Sequence, residues 1–285
     1  MQVSGIPSGT PARTTAPLTL PVSEWLKVSR FHPLGQAETL RLVLQLTRQA
    51  MDAYRRGEGP RPVVVFDLDD TLFVSHQPRT HRILREWLAA RPALDTGIAR
   101  ALAAVNERDI PYGGVKPTFQ KAARLELGDP KVAAALVDFE TFWKARFLSN
   151  AYVIHDPRQP GGVDYARAIF AMGAGIAYLT GRDAPNMGEG TRIAIRNSGL
   201  PEPSDRVQLY LKPRADMDDA EFKRSVRAAI AASGKVVATF DNAPANVVVL
   251  SKSFPDAAHV FVDTIYDSAP VEVRDGLYRV KGFTI

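Results

Sequence analysis

Five short apolar runs punctuate the chain downstream of residue 60: 63–66, 176–179, 207–211, 236–240 and 260–262. The first joins three valines to Phe66 with no polar interruption. Such runs suit strands buried on both faces, as at the centre of a parallel sheet. Between them, residues 162–172, 186–198 and 217–232 carry helical spacing, and Asp218 with Glu221 three places on predicts a cap for the last of these. Strand and helix alternating in this way predict an α/β fold, a doubly wound and mainly parallel sheet with right-handed crossovers. Upstream, Leu40, Val43, Leu44, Leu46 and Ala50 recur at helix spacing over 36–56, and Gly57, Gly59 and Pro60 stop that helix.

The alternation is interrupted once. Most of residues 79–148 has helical character, broken by Pro92, Pro111, Gly113, Gly114, Pro117 and Pro130. A βαβ crossover needs far less chain than separates Phe73 from Ile176. The surplus predicts a helical cap inserted after the first strand. The expected organisation is an N-terminal tail and helix over 1–60, an α/β core over 61–75 and 160–285, and a cap over 76–159. Residues 1–21 lack periodicity and predict a poorly ordered tail. Residues 271–280, with Asp275–Gly276 between two alternating runs, predict a hairpin.

Composition narrows the setting. The chain has 285 residues, enough for one large domain or two modest ones. No apolar run reaches the length of a membrane span, and no basic segment leads into an apolar one at the start. No cysteine is present, which excludes disulfides, thiol nucleophiles and zinc–thiolate sites. A cytoplasmic protein with no membrane partner is expected; the oligomeric state is left open. The net charge of +5 is unevenly spread. Residues 1–61 hold 8 basic and 4 acidic side chains, residues 75–160 hold 13 and 9, and residues 62–74 hold only Asp67, Asp69 and Asp70. Solvated helix faces account for the positive stretches; attraction of an anionic substrate is the sharper reading. Without a long basic run or an aromatic-interleaved stripe, a nucleic-acid partner is not expected.

Ligands of open α/β sheets bind beyond the carboxyl ends of the strands. Asp67, Asp69, Asp70 and Thr71 follow the first run, Thr180, Gly181 and Arg182 the second, Lys212 the third, and Asp241 and Asn242 the fourth. Carboxylates gathered there repel unless a positive charge sits among them, and Mg²⁺ with oxygen ligands would serve. A carboxylate can attack phosphorus and a second can manage the proton. A hydroxyl, a backbone amide and a lysine can hold phosphoryl oxygens.

Three segments carry a family resemblance. Residues 67–71, DLDDT, resemble the first motif of the haloacid dehalogenase-like superfamily; 178–182, YLTGR, resemble the second; 240–247, FDNAPANV, resemble the fourth. Together and in order, over about 62–265, they form a specific signal. The resemblance implies that Asp67 is the nucleophile and a metal ligand. It makes Asp69 the general acid/base and a metal ligand through its backbone carbonyl. Thr180 and Gly181 would bind phosphate, and Asp241 would complete a Mg²⁺ site. The implied activity is Mg²⁺-dependent hydrolysis of a phosphomonoester through an aspartyl-phosphate, with a small phosphorylated metabolite or nucleotide as substrate. An acid at position 69 favours phosphate esters over carbon–halogen bonds. The sequence departs from the pattern at Asn242 and Asn246, where a second acid is common. The phosphate-binding lysine is Lys223 or Lys212, with Lys223 preferred for its place near a helix start. Three other readings stand beside this one: a phosphatase of nucleic-acid ends or phosphoproteins, a non-catalytic binding protein on the same fold, and phosphotransfer to an acceptor other than water.

Several residues have plainer readings. Asp70 and Thr71 brace their loop, His155 and Asp156 return the chain from the insert, and Asp263 and Asp267 cap a loop. Arg182 pairs with a carboxylate or lies on a helix. His76 and His81 are expected to be solvated.

Overall fold

The computed structural model describes residues 17–285. A short strand β1 (Thr19–Leu20) and helix α1 (Val22–Val28) precede the long helix α2 (Gln36–Arg55), and β2 (Pro62–Phe66) follows. The insert holds α3 (His76–Ala89), α4 (Thr96–Ala103), α5 (Val115–Pro117), α6 (Pro130–Phe147) and α7 (Asn150–Val153). The remainder alternates: α8 (Gly162–Ala171), β3 (Gly175–Asp183), α9 (Ala184–Ser198), β4 (Val207–Lys212), α10 (Asp219–Ser225), α11 (Arg227–Ser233), β5 (Lys235–Asp241), α12 (Pro244–Ser253), β6 (Ala258–Val262), β7 (Val271–Glu272) and β8 (Tyr278–Val280). Among the described residues, no helix is long and apolar enough to cross a membrane.

Six strands form one parallel sheet in the order β4-β3-β2-β5-β6-β8. Period-two alternation divides their side chains between two helical layers. Val64 and Phe66 of β2 pack with Leu40, Val43, Tyr165 and Ile169 from α2 and α8. Val63 and Val65 pack with Phe222, Ile230 and Leu250 from α10, α11 and α12. Burial on both faces explains why the runs are unbroken. The predicted α/β, doubly wound class is thus the observed one, with α2 supplying part of one layer. The insert has its own apolar cluster, built around Trp87, Phe119 and Phe139.

Four local expectations are corrected. Residues 271–280 are not a hairpin: β7 pairs antiparallel with β1, and β8 joins the main sheet parallel to β6. The Asp275–Gly276 turn instead clasps Arg30, whose amide reaches Asp275 Oδ1 and whose carbonyl accepts from the Gly276 amide. The tail expectation for 1–21 fails at Thr19 and Leu20, which form β1; residues 1–16 lie outside the described residues. The helical stretch 217–232 is two helices, broken at Val226. His76 is buried, 7% exposed, rather than solvated, because its ring stacks on Tyr112 and meets Phe147 edge to face.

Candidate active site

β2 ends at Phe66, and the Asp67 amide extends its ladder to the Phe240 carbonyl at 2.9 Å. Asp67 therefore emerges beside Asp241, the last residue of β5. Lys223, on α10, reaches across from the helical layer. Its Nζ lies 2.8 Å from Asp67 Oδ1 and 2.6 Å from Asp241 Oδ2. All three side chains are buried, and burial disfavours an isolated charge. Burial pulls the Lys223 pKa down, but the Asp241 and Asp67 charges outweigh it and the net direction is up. Burial pushes the Asp67 carboxyl up, to about 8, with Lys223 opposing and Asp241 adding to the rise. The other oxygen of Asp241 accepts the Ala243 amide at 2.9 Å and Asn246 Nδ2 at 3.4 Å, which fixes its rotamer.

Asp69 stands in a second charged group. Arg182 Nε and Nη2 donate to its two oxygens at 2.8 and 2.9 Å, and Arg79 Nη2 donates at 2.8 Å. Both guanidiniums also bond Asp156, whose side chain is 2% exposed. Burial favours the neutral Asp69 carboxyl, yet the two guanidiniums overcome it and hold Asp69 well below the usual carboxylate range. Thr180 Oγ1 lies 3.5 Å from Asp69 Oδ2 and accepts the Arg182 amide at 3.2 Å. At Gly181 a Cβ would stand 2.3 Å from Asp219 Oδ2, so any larger residue there would displace that carboxylate. Asp219 is held in turn by Lys212, at 2.8 Å.

The loop after β2 is braced by its own residues. Asp70 takes φ 54°, a left-handed conformation in which its Oδ1 accepts the Ser75 and His76 amides at 2.9 and 3.2 Å. That bond pair satisfies donors at the start of α3, where the first-turn amides lack helical partners. Asn242 Nδ2 donates to the Ile265 carbonyl, and its Oδ1 lies 3.4 Å from Thr71 Oγ1. Asn242 is thus committed to holding two loops together.

Asp67, Asp69, Gly181 and Lys223 line one cavity of about 260 Å³ between the sheet ends and the insert. Asp241 and Thr180 lie directly behind it through their bonds to Lys223 and Asp69. Of the two candidate lysines, Lys223 meets Asp67, whereas Lys212 is spent on Asp219 and the Met217 carbonyl. Sequence reasoning missed Arg79 as a site residue. It lies in the insert outside any strand-end motif, and only its position in the first turn of α3 could have raised it. Asp156, read as structural, proves to bridge both arginines.

A hard cation such as Mg²⁺ asks for one or two carboxylates, with water and substrate oxygens completing its shell. Asp67 and Asp241 meet that demand, since both reach a single nitrogen and so stand within reach of one small ion. The Asp69 carboxylate faces the arginines instead. Among the described residues no three His, Asp or Glu side chains cluster as metal ligands, so the donor set that fits is one of two carboxylates.

No protein-family model matches the sequence, and no curated protein matches it. Solved structures give distant likenesses. One is a candidate phosphatase from Clostridium difficile, at 13% identity over 72% of this chain and 86% of that chain, with a TM-score of 0.46. Another is a haloacid dehalogenase-like family hydrolase from Streptococcus pneumoniae, at 10% identity over 70% and 83%, with a TM-score of 0.39. A third is CbbY from Rhodobacter sphaeroides in complex with phosphate, at 16% identity over 78% and 95%, with a TM-score of 0.43.

Proposed function

We propose that this chain is a Mg²⁺-dependent phosphohydrolase of the haloacid dehalogenase-like kind, acting on a small phosphomonoester. The observation that carries the reading is the buried Asp67–Lys223–Asp241 triad at the ends of β2 and β5, with Thr180 and Gly181 at the end of β3. An Asp67 oxygen attacks phosphorus, the bond from phosphorus to the leaving oxygen breaks, and an aspartyl-phosphate forms. Lys223 and the Gly181 amide hold the phosphoryl oxygens where charge develops. Water then attacks the phosphorus and frees Asp67. Asp69, held as an anion, suits the base's half of the proton work, taking a proton from that water. Giving a proton to the leaving oxygen in the first step requires its bonds to Arg182 and Arg79 to loosen. Mg²⁺, held by Asp67, Asp241 and the Asp69 backbone carbonyl, would offset charge on the phosphoryl oxygens. The insert would close the cavity against bulk water.

The test is release of phosphate from p-nitrophenyl phosphate and a broad monoester panel, run with Mg²⁺ and with EDTA. Turnover is expected with Mg²⁺ only, and Asp67→Asn should lower it by roughly a thousandfold or more while the protein stays folded. A folded wild type that cleaves nothing in the panel would overturn the reading. One observation favours a rival: the firm engagement of Asp69 also suits a non-catalytic phosphate binder. Saturable phosphate binding without any turnover is the result that would select it.

A further inference from the structure

The cavity has two unlike walls. One, the floor, is charged, built from the sheet ends, α10 and the start of α3, and every cation there already has a carboxylate partner: Arg182 and Arg79 with Asp69 and Asp156, Lys223 with Asp67 and Asp241, Lys212 with Asp219. Lys223 is the cation assigned to the transferred phosphoryl group. Beyond it the floor offers a second anionic group on a ligand no uncommitted cation, and it would bring that group towards buried Asp70.

The opposite wall is aromatic. Tyr112, on the insert, is 42% exposed and stacks on buried His76, with ring centroids 4.9 Å apart and planes within 18°. His76 meets the edge of Phe147 at 5.5 Å, and Phe147 stacks on Trp143 at 4.2 Å. The rings form a column running from the cavity into the insert. Tyr112 lines the same cavity as Asp69, Asp70 and Asp219, so its ring faces the floor of the site. His76 Nε2 is buried and has no hydrogen-bond partner among the described residues. Buried polar atoms are nearly always partnered, but His76 is held here by its ring contacts rather than by a hydrogen bond through Nε2.

We propose that this wall receives the leaving group, and that the leaving group is uncharged and carries a flat ring, with the ring laid against Tyr112. This rests on the phosphohydrolase reading and narrows its substrate class. Nucleoside monophosphates and aryl phosphates share the required chemistry. Sugar phosphates lack the ring face, and bisphosphates carry the second anion that the floor does not accommodate. Stacking against an aromatic side chain is tolerant of ring identity because every such ring has a π face.

Two measurements decide it. The first is kcat/KM for nucleoside 5′-monophosphates, phenyl phosphate, ribose 5-phosphate and a sugar bisphosphate. The expected order places one of the ring-bearing esters at least tenfold above the other two, and which of them leads tells a nucleoside from an aryl source. The Tyr112→Ala variant should shrink that preference by about tenfold, mainly through KM, and Tyr112→Phe should keep it. A preference for the ribose phosphate or the bisphosphate, or a preference untouched by Tyr112→Ala, overturns the proposal. The second is calorimetric titration of wild type and Tyr112→Ala with adenosine monophosphate and with ribose 5-phosphate. If no ester is cleaved, the phosphohydrolase reading fails, while tighter binding of the nucleotide that is lost in Tyr112→Ala still supports the aromatic subsite. Equal binding of the two ligands sinks it.

Discussion

Lys223 shows how much one side chain can be made to hold. It is buried between two buried carboxylates, and no other cation reaches either of them in the described structure. Removing one partner of a buried ionic group leaves uncompensated charge and costs about 3–5 kcal/mol. Lys223→Ala is therefore expected to lower stability by about that amount in urea unfolding near neutral pH. Adding Asp241→Asn should restore part of the loss, because the charge stranded on Asp241 is removed. A Lys223→Ala protein as stable as wild type would mean that the carboxylates find water or a proton at little expense. The gathering of acids that the sequence announced at Asp67, Asp69 and Asp241 is thus resolved by the chain's own cations. Lys223 bonds Asp67 and Asp241, and Arg182 with Arg79 bonds Asp69 and Asp156.

At the scale of elements, the join between insert and core is set by close backbone approach. Gly190 of α9 donates its amide to Asn150 Oδ1 at 2.7 Å, and a Cβ there would stand 2.5 Å from the Asn150 carbonyl oxygen. Backbone cannot swing aside as a flexible side chain can. Gly190→Ala should push α7 from α9 and destabilise by about 1–3 kcal/mol, read as a lowered Tm. The same element shows what was legible in sequence and what was not. The strands were readable because burial on both faces leaves runs such as 63–66 with no polar residue. Asp67, Thr180 and Asp241 were readable because they directly end such runs. Arg79 and Asp156 were not: their partners lie far off in sequence, and an arginine in a first helical turn has no local mark of burial. The 271–280 segment misled because a turn signal specifies a reversal of direction but not the partner strand. β7 and β8 found partners in β1 and β6 that no local pattern names. Helix spacing over 217–232 survived in type, but Val226 divides it.

For the whole molecule, the balance of folding should depend on pH through His259. Its ring joins the middle of the sheet to the α12–β6 turn: Nδ1 lies 2.9 Å from Thr239 Oγ1 and Nε2 lies 3.0 Å from the Phe254 carbonyl. A carbonyl only accepts, so Nε2 carries the proton and Nδ1 accepts from the threonine hydroxyl, which uses both nitrogens in the neutral ring. Burial is the main cause that lowers its pKa, to about 4 from an ordinary 6.5. A histidine depressed in the folded state leaves the unfolded chain as the better proton binder below about pH 6.5. Stability from this group is therefore full above that pH, falls as the pH drops towards 4, and changes no further below it. The linkage amounts to about 2–3 kcal/mol between about pH 7.5 and about pH 4.5. His76, also pushed down to about 4, pulls in the same direction. Urea unfolding of wild type and His259→Gln at the two pH values isolates the contribution of His259. The variant should start less stable at the higher pH, since a glutamine cannot keep both hydrogen bonds in the ring's geometry. It should then lose about 2–3 kcal/mol less than wild type on acidification. An equal loss in the two proteins would assign the acid sensitivity to His76, the other buried ring whose pKa is pushed down in the fold.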